Sequence, residues 1–241
     1  MNRLNVTSAV YALSYVCVAL VAAGLGPLIP IKADQMDRKP TDFKWAFVFK
    51  GVGCILGTVL GLKIEQLFSL HRAMGAAYLL VGVCALLTYQ TTNMIVFECI
   101  FMAVEFSKMV VNVCTTVCIL RSHSTLGEAW VKSFHFCYGI GAFVSPLIIK
   151  AMHLDAFWIY AAAVLPVASF LLLTRPKFIE LTTGTEAIQI LSSRENSTEL
   201  QSTPPKLNVL LACLLFFTTG NEATFAGWLT SYGRMGNRLP V

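Results

Sequence analysis

Seven long runs of apolar residues, separated by shorter polar stretches, set the plan of this chain. They cover roughly 7–31, 44–63, 73–90, 93–120, 131–151, 154–174 and 207–232. A helix of about 20 apolar residues spans the hydrocarbon of a bilayer, and inside that hydrocarbon a helix satisfies its own backbone polar groups. The pattern therefore predicts an all-α fold, a polytopic membrane helix bundle. Most connections are short. Residues 32–43 are charged and hold Pro40, whereas 175–206 are rich in Ser, Thr and Glu and end in Pro204-Pro205-Lys206. That composition marks a linker. It divides the chain into a bundle of six transmembrane helices (1–174), a polar linker (175–206) and a seventh helix with its tail (207–241).

The fourth run is the least ordinary, because it carries Glu98, Glu105, Lys108 and Asn112 among Val, Ile, Cys and Met. At about 100° per residue these four and Thr116 share less than a quarter of the helix circumference. Ionisable groups at membrane depth are costly and face a bundle interior or a wet cavity. The polar stripe is thus a candidate substrate-binding face made by Glu105, Lys108 and Asn112. A structural alternative stands beside it: Glu105 and Lys108 are three residues apart and can pair with each other, and Glu98 is close enough to the helix end to reach interfacial water.

The seventh run is the second informative place. It reads Gly220-Asn221-Glu222-Ala223-Thr224-Phe225-Ala226-Gly227-Trp228. A Gly-Asn-Glu triplet deep in an apolar run implies loosened helix, which membranes tolerate only against protein or a wet cavity. Asn221, Glu222 and Trp228 join the candidate binding residues. Amide and carboxylate groups bond solute hydroxyls, the indole offers an apolar platform, and Glu222 is a candidate for binding a coupling cation.

Other segments read more simply. Gly53, Gly57 and Gly61 recur every four residues in the second run, the spacing that lets helix backbones approach closely in lipid. Lys50 lies in the same run, with a stem long enough to snorkel to the outer interface. Gly24, Gly26, Pro27 and Pro30 suggest a bent or irregular end to the first helix. His135, a few residues from Lys132, reads as a packing or interfacial residue.

Composition agrees with the membrane reading. The 241 residues are 56% hydrophobic and only 13% charged, about half the charge of a soluble domain. The net charge of +5 is scattered, with no basic run to hold nucleic acid. The eight cysteines all lie in apolar runs without metal-type spacing, which makes packing their default role. No metal constellation and no nucleophile with a base in reach points to an enzyme.

Local motifs carry a family resemblance. Phe134-His135-Phe136-Cys137-Tyr138-Gly139-Ile140-Gly141-Ala142-Phe143-Val144-Ser145-Pro146-Leu147 resembles the fifth-helix signature of the sodium-dependent glucose transporter group, in the fucose-permease-like branch of the major facilitator superfamily. Gly220, Glu222, Thr224, Phe225, Trp228 and Tyr232 resemble that group's seventh-helix motif, and Asn112 matches an Asn near the middle of its fourth helix. Gly61-x-x-x-Glu65 is similar to the superfamily's second-to-third loop motif, with Glu in place of Asp. The chain departs at Lys108, where an acidic residue is usual, and at Glu105, Met109 and Val110, which replace small ones. The resemblance implies the superfamily's N-terminal six-helix half plus the seventh helix, with the first, fourth and seventh helices lining a central cavity. It also implies cation-coupled alternating access for a small polar solute, a sugar such as glucose, with sodium or a proton as coupling ion and no other cofactor. A family member has twelve spans, so a truncated product, an incomplete gene model or a splice variant is expected. The alternative is a truncated, non-transporting membrane protein that binds a partner or a lipid.

Topology follows from the cations flanking the runs. With the amino terminus inside, nine Lys and Arg flank the cytosolic side and seven the outer side, the remaining two, Lys50 and Lys108, lying within runs. This bias places the amino terminus and the long linker in the cytosol, in the plasma membrane by family expectation. Two sequons, Asn5-Val-Thr7 and Asn196-Ser-Thr198, then escape glycosylation. Glycosidase treatment of the protein from eukaryotic cells is expected to leave its mobility unchanged; a shift that disappears in Asn196→Gln reverses the topology.

Overall fold

The computed structural model describes residues 3–67, 69–122 and 127–174; the linker and seventh run lie outside the described residues, and with them Asn221, Glu222 and Trp228. Six helices follow one another: α1 (Arg3–Gln35), α2 (Lys44–Leu67), α3 (Leu70–Gln90), α4 (Met94–Ser122), α5 (Gly127–Met152) and α6 (Ala156–Leu173). Short 3₁₀ turns at Pro40–Phe43 and His153–Asp155 precede α2 and α6. Each of the first six apolar runs is a helix. Four stretches, Ser8–Gln35, Pro40–Gly61, Leu70–Gln90 and Ala129–Leu173, are long and apolar enough to cross a membrane, the last holding both α5 and α6. α4, with its internal charges, is not among them. The chain is a multi-pass membrane protein.

Three principal helix pairs are not neighbours in sequence, α2 along α4, α1 along α5 and α3 along α6, while α3 also packs along its successor α4. Glycine allows the first three approaches. A Cβ on Gly53 would collide with the Met102 carbonyl oxygen, and one on Gly57 with that of Phe106; Gly61 faces Val113 at 3.3 Å. The four-residue repeat in α2 is therefore a packing seam. The α1–α5 pair has its own seam at Gly141, where a Cβ would lie 2.5 Å from the Val16 carbonyl oxygen, and at Gly24, 2.9 Å from Ile149 and Ser145. The α3–α6 pair closes over Gly75 and Gly82, against Leu172 and Leu165. Small residues let the backbones come close enough for dispersion to hold helices together where lipid offers no hydrophobic drive.

Helix ends lie beyond several of the apolar runs. α1 continues as helix through Pro27 and Pro30 to Gln35. It ends in a Schellman arrangement, with Arg38 N–H donating to Ala33 C=O at 2.9 Å and Asp37 in the left-handed region at φ 50°. Lys32 is consequently helical and fully buried, not a free loop cation. Its ammonium donates to the carbonyls of Tyr89 (3.3 Å) and Thr91 (2.8 Å), so it satisfies acceptors at the C-terminal end of α3, where the helix dipole favours a cation. Likewise Gly61-x-x-x-Glu65 lies within α2 and not in a loop. α4 starts where Asn93 Oδ1 accepts from the N–H groups of Ile95 (2.9 Å) and Val96 (3.3 Å), an N-cap.

Two further polar ties cross the bundle. Ser145 Oγ donates to Leu20 C=O at 2.6 Å, and Tyr160 OH donates to Ser145 C=O at 2.9 Å, linking α1, α5 and α6. Buried His71 bonds Tyr11 OH through Nδ1 (3.0 Å) and Thr174 Oγ1 through Nε2 (3.1 Å), linking α1, α3 and the end of α6. Outward faces are apolar, with Phe136, Phe143 and Leu147 on α5 and Trp45, Val52 and Ile55 on α2 exposed.

The seams are testable by paired glycine substitutions. Gly53→Val overpacks the α2–α4 contact at a cost of about 1–3 kcal/mol and is expected to lower the Tm of the detergent-purified protein by roughly 5 °C. Gly139→Ala, whose Cβ would meet nothing within 4 Å, is expected to leave the Tm unchanged or slightly higher, alanine being the better helix former.

Candidate functional site

The polar stripe of α4 splits into two parts. Glu98 and Glu105 are buried, while Lys108 and Asn112 remain partly open. One carboxylate oxygen of Glu98, Oε1, is buried with no hydrogen-bond partner among the described residues. Glu105 Oε1 pairs with Lys108 Nζ one turn along the helix. The ion pair weighed from the sequence thus exists. It does not take Lys108 out of reach, because the side chain still borders a cavity.

That cavity, about 140 Å³, opens where α1, α4 and α5 meet. Lys108, Met109, Val111 and Asn112 line it from α4, Tyr15 and Val18 from α1, and His135 and Tyr138 from α5. The spacings explain the grouping: 108 and 112, 15 and 18, and 135 and 138 each fall one turn apart, so each pair shares a helix face. Gly141 lets α1 and α5 approach closely enough to bring Tyr15 and His135 together.

Hydrogen bonding and ring contacts set the walls. Tyr15, itself buried, donates its hydroxyl to Asn112 Oδ1 at 2.9 Å. With the carbonyl oxygen engaged, the amide NH₂ is the part of Asn112 left to serve a ligand. The Tyr15 ring meets Phe134 at 5.7 Å and the edge of His135 at 6.0 Å. Lys108 Nζ stands 5.8 Å from the centre of the Tyr138 ring, a cation–π distance. The ammonium is therefore steered by a carboxylate on its own helix and an aromatic face on α5.

A fourth helix contributes charge from behind. Lys50 on α2 is half-buried and lies in the electrostatic field of both Glu105 and Lys108. It shares a face of α2 with Gly53 and Gly57, the face pressed on α4.

The structure brings Glu105, Lys108 and Asn112 together at one place, with Glu105 acting through Lys108. Asn221, Glu222 and Trp228 lie outside the described residues. The partners absent from the sequence-based set are Tyr15 and Tyr138, together with His135, whose ring borders the cavity and meets Tyr15 edge-on. His135 and Tyr138 carried a readable signal, one turn apart in an apolar run. Tyr15 carried none, because its bond to Asn112 joins residues 97 apart.

The cavity sets the side chains of Lys108, Asn112, His135, Tyr138 and Tyr15 among the apolar residues Val18, Met109 and Val111. The chain is similar to three curated proteins. It is 24% identical over 144 residues to sodium-dependent glucose transporter 1 of Rattus norvegicus, covering 60% of this chain and 30% of that protein. It is 26% identical over 144 residues to sodium-dependent glucose transporter 1A of Mus musculus (57% and 32%), and 21% identical over 131 residues to sodium-dependent glucose transporter 1 of Xenopus laevis (54% and 27%). The matched stretch thus spans about a third of the length of these curated relatives. No family model and no solved structure matches the chain. The relatives are named as transporters and not as enzymes, in keeping with a non-enzymatic chain.

The Glu105–Lys108 pair yields a stability prediction. Lys108→Met strands a buried carboxylate, with an expected loss of about 3 kcal/mol. Adding Glu105→Gln to Lys108→Met is expected to restore most of the Tm, measured by thermal melting in detergent. A double variant as unstable as the single one shows that the pair is not coupled.

Proposed function

We propose that the chain is a transporter, or part of one, that moves a small polar solute across a membrane, a sugar such as glucose, by cation-coupled alternating access. The observation that carries this reading is the cavity at the α1–α4–α5 junction, where an ammonium, an amide, an imidazole and a phenol converge inside an apolar bundle. The names of the three relatives support a sugar as solute and sodium as the coupling ion, with a proton as the other candidate. On this reading residues 1–174 form one six-helix half of a facilitator-type transporter, 175–206 a cytosolic linker and 207–241 the start of the second half. Rocking of two halves about a site near the midplane then exposes the cavity to each side in turn.

The residue roles follow from chemistry. Asn112, held by Tyr15, donates its amide N–H groups to solute hydroxyls. Lys108 and Glu105 form the charged floor of the site. From the seventh helix, Asn221 adds hydrogen bonds, Trp228 an apolar platform, and Glu222 a carboxylate that binds the coupling ion. The amino terminus faces the cytosol and the membrane is the plasma membrane.

The test is uptake of labelled D-glucose into proteoliposomes bearing the full chain, under sodium and proton gradients separately. Saturable uptake stimulated by one of the gradients is expected, with Asn112→Ala lowering it about tenfold or more, the loss of one or two buried hydrogen bonds, and Glu222→Gln abolishing the stimulation. Uptake no greater than in protein-free vesicles counts against transport of glucose, and gradient-stimulated uptake in Glu222→Gln removes that residue from coupling.

A further inference from the structure

We propose that Tyr15 sets the polarity of the solute site: it turns the Asn112 amide so that a polyol or sugar meets N–H donors there, and the solute atom bound at that point serves as an acceptor that need not carry a proton. The proposal rests on the solute-binding reading above and narrows what that site recognises.

An asparagine amide meets a ligand in two opposite senses, its oxygen accepting and its NH₂ donating. Which end serves the solute is decided here by a residue 97 positions away in the chain. The Tyr15 hydroxyl donates to Asn112 Oδ1 at 2.9 Å, and only 4% of Tyr15 is exposed. Its ring meets Phe134 at 5.7 Å and the edge of His135 at 6.0 Å, so the phenol is held in place by α5 while it holds the amide of α4. Both Tyr15 and Asn112 line the cavity. The polarity of Asn112 is thus set between α1 and α4, whatever the seventh run contributes.

The two sides of the cavity differ in this respect. Lys108, one turn before Asn112, carries donors only, and Glu105 already takes part of that capacity. On α5, His135 and Tyr138 can donate or accept. A sugar hydroxyl offers one proton and two lone pairs. Against α5 both are usable, whereas against the Asn112 NH₂ only the lone pairs are. Replacing the hydroxyl that meets Asn112 by fluorine removes the proton and keeps an acceptor; replacing it by hydrogen removes both. At that position the site therefore tolerates fluorine better than it tolerates hydrogen.

D-Glucose and its monodeoxy and monodeoxyfluoro analogues, one pair for each hydroxyl, are the probes, and equilibrium binding to the purified full chain is the measurement. At one position or more the fluoro analogue is expected to bind about fivefold or more tightly than its deoxy counterpart, the size of one modest hydrogen bond. Tyr15→Phe keeps the ring and removes the donor that fixes the amide. It is expected to erase the fluorine advantage at one such position and to leave the pattern at the others unchanged, which a loss of packing alone does not do. Monodispersity and Tm show whether the variant folds; if it does not, Asn112→Asp, which puts an acceptor where the NH₂ stood, is expected to erase the same advantage. Retention of every fluorine advantage in the folded variant overturns the proposal. So does a wild-type protein that binds fluoro and deoxy analogues alike at every position. In both cases binding of glucose itself leaves the solute-binding reading intact, whereas a wild-type protein that binds none of the probes overturns both.

Discussion

Close approach of helix backbones is the constraint on which the rest of this bundle depends. Lipid tails are as apolar as the side chains they meet, so burial of apolar surface does not drive the helices together as it would in water. Contact must come from packing and polar ties. Three of the principal helix pairs have glycines where a Cβ would collide with the partner helix: Gly53 and Gly57 between α2 and α4, Gly141 between α1 and α5, and Gly75 and Gly82 between α3 and α6. The seams also set where chemistry happens. The first brings Lys50 beside the charged pair on α4, and the second brings Tyr15 and His135 to the same cavity.

Polar groups then lock what the glycines permit. Lys32 satisfies carbonyls at the end of α3, Ser145 and Tyr160 join α1, α5 and α6, and His71 ties Tyr11 to Thr174. These bonds gain force from an apolar surrounding, where an unmade hydrogen bond leaves a donor or acceptor with no water to turn to. By that measure Glu98, with one carboxylate oxygen left over, and Tyr78, with its hydroxyl, stand apart from the other buried polar groups among the described residues. The charged cluster on α4 belongs to the same logic. Glu105 is buried and paired, and Lys108 is paired and still open to the cavity.

Much of the architecture was legible in the sequence because hydrophobic runs are a local property. The six described helices fall where the first six runs lie, and the four-residue glycine repeat in α2 is the seam it was taken for. Helix ends were less legible. α1 passes through Pro27 and Pro30, and Gly61-x-x-x-Glu65 is helical, because neighbouring helices and caps override local breakers. The seam on α1–α5 was less visible still. Of the two glycines in the fifth-helix motif, only Gly141 meets another backbone, while Gly139 is open.

The candidate site divides along the same line. The sequence by itself determined that Glu105, Lys108 and Asn112 share a helix face at membrane depth, since a period of 3.6 residues and a hydrophobic run are enough to say so. It also determined that Glu105 and Lys108 were spaced to pair. Only the tertiary structure decided that Tyr15 holds Asn112 and that Tyr138 faces Lys108. The physical reason is distance along the chain. Periodicity ties together residues three or four apart, whereas Tyr15, Lys50 and Tyr138 meet α4 across helices whose pairing is set by backbone contact at a few glycines.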